Sequence, residues 1–307
     1  MTARAIMVQG TASHVGKSVL VAALCRLYAR AGIRVAPFKA QNMSNNSFVT
    51  GEGGEIGRAQ AFQAQAAGIE PTVDMNPILL KPDADTRSQV ICLGQPVAAM
   101  EVRQYHDYQR VAWQAVTGAY DRLASAFDLI VLEGAGSPAE INLRDRDIVN
   151  IKMAAYAQAP VLLAADIERG GVFASIVGTM RLLAPQERGR VKGYLINKFR
   201  GEANLLEAGL KFLEAETGVP VLGVLPYVFG LPVDEEDAVA LTATESLRNA
   251  ALDIGVIHLP HISNATDFQP LSAESDVGVR YIETPAGFGR PDVIILPGCK
   301  SAVVDFE

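Results

Sequence analysis

Cysteine is scarce in this chain. Cys25, Cys92 and Cys299 stand far apart, odd in number and in no C-x-x-C arrangement, so neither a disulfide framework nor a zinc site is indicated. A surplus of positive charge is also lacking. The net charge of -7 and pI near 5.3 give no general attraction to nucleic acid or to anionic membranes, which leaves any anionic ligand to be held by local groups. No stretch reaches ~18 uninterrupted apolar residues, and residues 1–10 hold no long apolar segment with a cleavage site, so the expectation is a cytoplasmic protein without a membrane partner. The histidines, His14, His106, His258 and His261, form no H-E-x-x-H pattern, and the pair His258 and His261, on a strand followed by Pro260, need not converge on a metal. A Gly-x-Ser-x-Gly elbow is missing as well. Cys299, in Pro297-Gly298-Cys299-Lys300, lacks the glycine two positions on that such an elbow favours, which makes it an ordinary loop thiol.

What the chain does have is apolar material: 49% hydrophobic against 20% charged residues supports a substantial core and argues against disorder. The length of 307 residues suits two domains. Short aliphatic runs at 6–8, 34–38, 129–132, 161–165, 194–196 and 221–225 read as strands buried on both faces. Helical patterns lie between them, the clearest placing Leu20, Ala23, Leu24, Leu27 and Ala31 on one face with Gly32 as the stop. The alternation predicts a doubly wound, mostly parallel α/β domain over 1–230. An acidic run, Asp234 to Asp237, falls in a segment of weak pattern and reads as a solvated linker over 231–251. Strand signals resume at 254–259, 277–282 and 293–296, and 252–307 is thin for an independent α/β core, which suggests a partial domain.

The strand at Ile6 to Val8 runs straight into Gly10-Thr11-Ala12-Ser13-His14-Val15-Gly16-Lys17-Ser18, and the amphipathic helix begins at once. That context marks a phosphate-binding loop, with five residues between the glycines where the usual Walker A pattern has four. Glycines let the backbone curl so that N–H groups at the loop and the helix N-terminus face phosphate oxygens. Lys17 should reach the outer phosphates of ATP, and the Ser18 hydroxyl should ligate Mg2+. The bland reading is a glycine-rich turn without a ligand. Magnesium also takes one or two carboxylates. Glu133 closes a strand and precedes Gly134-Ala135-Gly136, while Glu55 stands just before a helical stretch expected from about Ile56. Either is otherwise a cap or a salt-bridge partner. Lys39 follows the second strand at the carboxyl edge where ligands collect, as a phosphoryl-stabilising cation or as a solvated lysine. Arg169, in Asp166-Ile167-Glu168-Arg169-Gly170-Gly171, is placed to fork onto a carboxylate or simply to belong to a turn. Asn197-Lys198 ends another strand at the same edge, where it could meet a purine or form a simple turn.

Taken together these residues resemble the glutamine-dependent cobyric acid synthases and, more distantly, the dethiobiotin synthetases. The resemblance rests on the loop 10–18, on Ala36-Pro37-Phe38-Lys39-Ala40-Gln41-Asn42-Met43, Gly54-Glu55-Ile56-Gly57-Arg58-Ala59-Gln60, Met75-Asn76-Pro77 and Leu80-Lys81-Pro82. It continues through Tyr105-His106-Asp107-Tyr108, the segment Glu133 to Leu143, the segment Ala165 to Phe173 and Ile196-Asn197-Lys198-Phe199-Arg200-Gly201. The order is kept from residue 6 to about residue 230. The resemblance implies ATP-dependent amidation of peripheral carboxylates on a corrinoid, adenosylcobyrinic acid a,c-diamide giving cobyric acid through an acyl phosphate, with glutamine or ammonia as nitrogen donor. It implies Lys17 and Lys39 as catalytic cations and Ser18, Glu55 and Glu133 as metal ligands. Gly10, Thr11, Val15, Gly16 and Asn197 then line the nucleotide, and Gln41, Asn42, Asn142 and Arg169 the substrate.

Two departures qualify it. His14 stands where dethiobiotin synthetases typically carry aspartate, and residues 252–307 look like only the opening strands of a class I glutamine amidotransferase domain, so the expectation is a chain without its own glutaminase site. The competing readings are a dethiobiotin synthetase-like ligase on another carboxylate and a partitioning-type switch that dimerises around ATP. The missing lysine between Thr11 and Val15 counts against the switch. A homo-oligomer is compatible with the enzyme readings.

Overall fold

The computed structural model describes residues 3–84, 86–229, 250–260 and 262–299. In chain order the first part runs β1 (Arg4–Gly10), α1 (Lys17–Arg30), β2 (Val35–Phe38), β3 (Gln41–Met43), β4 (Ser47–Val49), β5 (Glu55–Gly57) and α2 (Arg58–Ala67). It goes on with β6 (Ile78–Ala84), β7 (Arg87–Cys92), β8 (Gln95–Glu101) and the long α3 (Val102–Ala126). Then follow β9 (Leu129–Glu133), α4 (Ile151–Tyr156), β10 (Val161–Asp166), α5 (Val172–Leu182), α6 (Pro185–Arg188), β11 (Val191–Phe199), α7 (Glu207–Thr217) and β12 (Val221–Pro226). The last described elements are β13 (Leu252–Ile257), α8 (Gln269–Ser272), β14 (Val277–Ile282) and β15 (Val293–Ile295).

The main sheet has the order β12-β11-β10-β1-β9-β2 and is parallel throughout. Its inner strands are buried on both faces, whereas the edge strand β12 departs from the expectation, being only partly buried with Leu222 56% exposed; the period of two is visible in where alternate side chains go. Met7, Ile130, Leu132, Leu163 and Ala165 enter one core cluster, whereas Val8, Val131 and Ala164 enter the other. The first of these clusters is covered by α3, through Ala112, Val116, Ala119 and Leu123, and the second by α1. Connections leave β1 in opposite directions, toward β9 and β2 on one side and toward β10, β11 and β12 on the other. A crevice forms at such a reversal, beyond the carboxyl ends of the strands. There the ends of β1, β9, β10 and β11 carry the phosphate-loop residues, Glu133, Asp166 and Asn197.

The helical phase of α1 differs from the expectation. Leu20, Val21, Ala22 and Cys25 are buried, while Ala23 and Ala31 are exposed and Leu27 is 62% exposed. The stripe is rotated because the loop fixes where the helix begins: Lys17 itself is buried, and the residues one turn further in inherit its phase. Gly32, at φ +78°, ends the helix as expected. A second departure lies between β2 and α3. The chain there builds a four-stranded lobe of order β3-β6-β7-β8 and the antiparallel hairpin β4-β5, for which the short segments offered no long periodic signal. Glu55 is therefore a strand residue, and α2 starts only at Arg58. Gly57, extended at φ -61° and ψ 137°, separates the two.

The C-terminal strands form a parallel sheet of order β14-β13-β15 with its own small core of Ile254, Val256, Leu259, Ile262 and Val279. The expected linker, with its run Asp234 to Asp237, lies outside the described residues except for residues 250 and 251, as does His261.

Candidate active site

The loop after β1 is shaped by its backbone. Gly16 adopts φ +95°, a left-handed conformation that side chains resist, and a Cβ there would lie 2.3 Å from Asn197 Nδ2. Asn197 earns that proximity by donating to the Val15 carbonyl at 2.9 Å, while Thr11 N–H is held by the Ala164 carbonyl. At Gly10 an added Cβ would meet Val15 Cγ2 at 2.6 Å and the Ala12 carbonyl oxygen at 2.9 Å. Lys198, at φ 60°, donates to the His14 carbonyl at 2.8 Å and pairs with Asp166 at 3.1 Å. The loop is thus clamped from β10 and β11, and Gly10, Thr11, Val15, Gly16 and Asn197 form one continuous structure.

Lys17 bends back to donate to the carbonyls of Ala12, at 2.9 Å, and Gly136, at 3.1 Å. Ser18 Oγ lies 2.9 Å from Glu133 Oε1, and the same carboxylate oxygen accepts from Lys39 Nζ at 2.9 Å. This ion pair is closed to water, with side-chain exposures of 2% for Lys39 and 0% for Glu133. Burial pushes the Glu133 carboxyl up, yet the Lys39 charge, hydrogen bonds from Lys39 and Gln63, and the charge on Lys17 outweigh it and hold the group below the usual carboxylate range. Its other oxygen accepts from Gln63 Nε2, which also reaches the Ser18 carbonyl at 3.3 Å. The Gln63 amide orientation follows from the carboxylate, which can only accept.

Glu55 sits in a neighbouring set, bonded by Ser47 Oγ at 2.6 Å and ion-paired with the buried Lys81, whose Nζ is also 2.8 Å from Ser47 Oγ. Gln41 Oε1 accepts from the Tyr105 hydroxyl, and Asn42 donates to Gln60. Asn142 is exposed in a turn and does not line the cavity, whereas Arg169 is exposed and does. Gln63 and Asn150 carry weight that the sequence did not reveal. Asn150 is 5% exposed, receives Ala135 N–H at 3.2 Å and donates to the Ala135 carbonyl at 2.8 Å, fixing the loop after Glu133. A buried asparagine pairing both groups of one backbone unit has no linear signature, since its meaning depends on the chain folding back.

Above this cluster opens a cavity of about 1100 Å³. One end is walled by the phosphate loop, Asn197 and 225–228; the other by Gln41, Asn42, Leu80, Val90, Met100 and Tyr105 from the inserted lobe and α3. Small-molecule sites usually span ~300–1,000 Å³, so this one stands at the large end of that range, with the apolar side chains Leu80, Val90 and Met100 in its lining.

Residues 6–238 match the model of the CobQ/CobB/MinD/ParA nucleotide binding domain. The chain belongs to that family. Residues 253–307 match the CobB/CobQ-like glutamine amidotransferase domain. Among curated proteins, the cobyric acid synthase of Sorangium cellulosum is 57% identical over 99% of this chain and 59% of its own length. That of Klebsiella pneumoniae is 55% identical over 98% of this chain and 60% of its own length, and that of Dehalococcoides mccartyi 54% identical over 99% and 61%. The chain thus spans about 60% of the length of the curated relatives it matches. Among solved structures, chloroplast FtsY from Physcomitrella patens aligns at a TM-score of 0.41 and 18% identity over 73% of this chain and 59% of that one, a likeness too slight to carry inference. Among the described residues no helix is long and apolar enough to cross a membrane.

Proposed function

We propose that this chain is the ATP-dependent part of a cobyric acid synthase, activating peripheral carboxylates of adenosylcobyrinic acid a,c-diamide for amidation. The observation that carries the reading is the junction of two features: the buried Lys39–Glu133 pair bonded to Ser18 under the phosphate loop, and a cavity lined both by that loop and by residues of the inserted lobe. The donor set fits a magnesium ion. A hydroxyl and an ionised carboxylate 2.9 Å apart are hard oxygen ligands, and Mg2+ takes few protein ligands and keeps several waters. When bound, Mg2+ neutralises phosphate charge and orients the transferring group.

The chain's own residues would act as follows. Backbone N–H groups of the loop and of the first turn of α1 cradle the phosphates. Lys17 exchanges its carbonyl partners for phosphate oxygens, and Lys39, fixed by Glu133, faces the transferring group as a positive charge in a dry site. Asn197, at the wall lined by 225–228, meets the base. Gln41, held by Tyr105, and Asn42 present amide groups to the corrinoid side, with Arg169 at the rim. A substrate carboxylate oxygen attacks the γ-phosphorus and ADP leaves. Ammonia then attacks the acyl carbon, phosphate departs with the C–O electrons, and the nitrogen loses a proton to leave the amide. In the full-length relatives glutamine would supply that ammonia through the domain beginning near residue 253. Glu55 is proposed as a further ligand that joins the metal when nucleotide is present.

The test is to mix the chain with ATP, Mg2+, ammonium and the a,c-diamide and to follow ADP and product mass. Corrinoid-dependent ADP release with successive -1 Da mass changes supports the reading; ATP hydrolysis indifferent to the corrinoid sinks it.

A further inference from the structure

The C-terminal unit touches the synthetase part at a place that bears on its active site. Asn264 occupies a left-handed conformation, φ 50° and ψ 44°, at the start of the turn 265–268, one that asparagine tolerates and most residues resist. Its Oδ1 accepts Ser47 N–H at 2.9 Å, and the Ser47 hydroxyl lies 3.4 Å from the same oxygen. That hydroxyl has one proton and receives a bond from Lys81, so its proton goes to the nearer, charged Glu55 at 2.6 Å. Three residues beyond Asn264, Asp267 pairs with Arg58 at 2.8 Å. The unit therefore grips β4 at Ser47 and the chain just after β5 at Arg58.

Those two grips bracket a short mechanical path. Ser47 is paired with Gly57 across the hairpin, and Gly57 leads directly into α2. One turn and two turns along, α2 carries Gln60, bonded by Asn42 at the substrate side, and Gln63, bonded to Glu133 and to the Ser18 carbonyl. Gln60 and Gln63 are both fully buried and lie three residues apart on one face. Glu55 and the α2 face share this continuous segment, with only Ile56 and Gly57 between Glu55 and the helix, so a shift of the hairpin would be carried into both.

We infer that the amidotransferase-like unit sets the synthetase site through Asn264: docked, it holds the hairpin and α2 in the register that lets Gln63 fix Glu133 for the metal. Asn264 and Asp267 are positioning residues, and the purpose of the arrangement is to make carboxylate activation depend on the unit that brings nitrogen. The inference rests on the proposed reading of the site.

Asn264→Gly tests it, because glycine keeps the left-handed backbone and removes the carboxamide that accepts from Ser47. On the whole chain, two quantities are measured: hydrogen exchange of the amides in 47–63, and binding of a non-hydrolysable ATP analogue titrated at several Mg2+ concentrations. The expected result is faster exchange across 47–63 together with a loss of Mg2+-dependent analogue affinity of about fivefold to tenfold, the low end of usual coupling between sites. Asp267→Asn, which keeps shape and removes the charge, should show a smaller change of the same kind. Faster exchange with unchanged Mg2+-dependent affinity would mean a mere docking contact and overturns the inference, as would unchanged exchange. If the unsubstituted chain fails to bind the analogue at all, the ATP reading of the site is what fails.

Discussion

Replacing Lys39 by methionine removes one partner of a pair that water cannot reach. Glu133 would keep Ser18, Gln63 and the more distant Lys17 charge, but its strongest compensating charge would go. Breaking such a pair typically costs ~3–5 kcal/mol, mostly from the charge left behind. Protonation sets a ceiling on that residue of cost. Neutralising a carboxyl of ordinary pKa ~4.3 costs about 1.36 kcal/mol per pH unit, hence ~3.7 kcal/mol at pH 7 and ~1 kcal/mol at pH 5. In the unsubstituted chain the folded carboxyl lies below its unfolded value, so its stabilisation is fully present above ~4.3 and fades as pH falls through the lower, folded value. In the variant the folded value is raised, so the penalty is absent below ~4.3 and grows as pH rises. The stability gap between the two proteins should therefore narrow by up to ~2.7 kcal/mol from pH 7 to pH 5. Urea unfolding followed by the single tryptophan, Trp113, which packs edge-on to Tyr156, measures both gaps. The double variant Lys39→Met with Glu133→Gln should recover most of the loss, since no buried carboxylate is left unpaired and Lys17 keeps the carbonyls of Ala12 and Gly136. A gap under ~1 kcal/mol at pH 7, or one equal at both pH values, would refute the account of Lys39 and Glu133 as a water-excluded pair.

Gly16→Ala should abolish nucleotide binding, because its methyl group would displace Asn197 and strain a backbone at φ +95° by ~1–2 kcal/mol; a fluorescent ATP analogue reads this directly, and retained affinity would contradict the clamp. Asn150→Ala removes both bonds to Ala135 and should destabilise the chain by ~2 kcal/mol, with proteolysis rising in the loop 134–143 as the check. Tyr105→Phe takes the hydroxyl from Gln41; the expected outcome is a higher KM for the corrinoid with nucleotide affinity unchanged, in steady-state assays with the substrates varied separately. Chelation of Mg2+ should stop ADP release, while Glu55→Gln should weaken Mg2+ dependence without unfolding the protein, as thermal melts would show.

The parallel strands were readable because each is a short aliphatic run, most of them buried on both faces, and the phosphate loop because strand, glycines, Lys17-Ser18 and helix follow one another within a few residues. Glu133 was readable as a strand-end carboxylate, though not as the shared partner of Ser18 and Lys39. The lobe β3 to β8 went unread, since its short strands find their partners only across the insertion. The same holds for Gln63, an ordinary polar residue on a helix whose orientation decides that it faces a carboxylate. Even the face of α1 was misplaced by apolar periodicity, because the loop's geometry sets the helical phase and leaves Leu27 in solvent.

By itself, then, the sequence determined the elements whose physics is local: the buried strands, the glycine-dependent turn at 10–18, the stop at Gly32, and the chemical kinds of group at the strand ends. Only the tertiary structure decided which of those groups meet. It joined residues 18, 39, 63 and 133 into one hydrogen-bonded cluster, turned Lys17 onto the Gly136 carbonyl, and seated Asn264 on Ser47. A charge's worth depends on the partners and the water around it, and neither is written in any single stretch of chain.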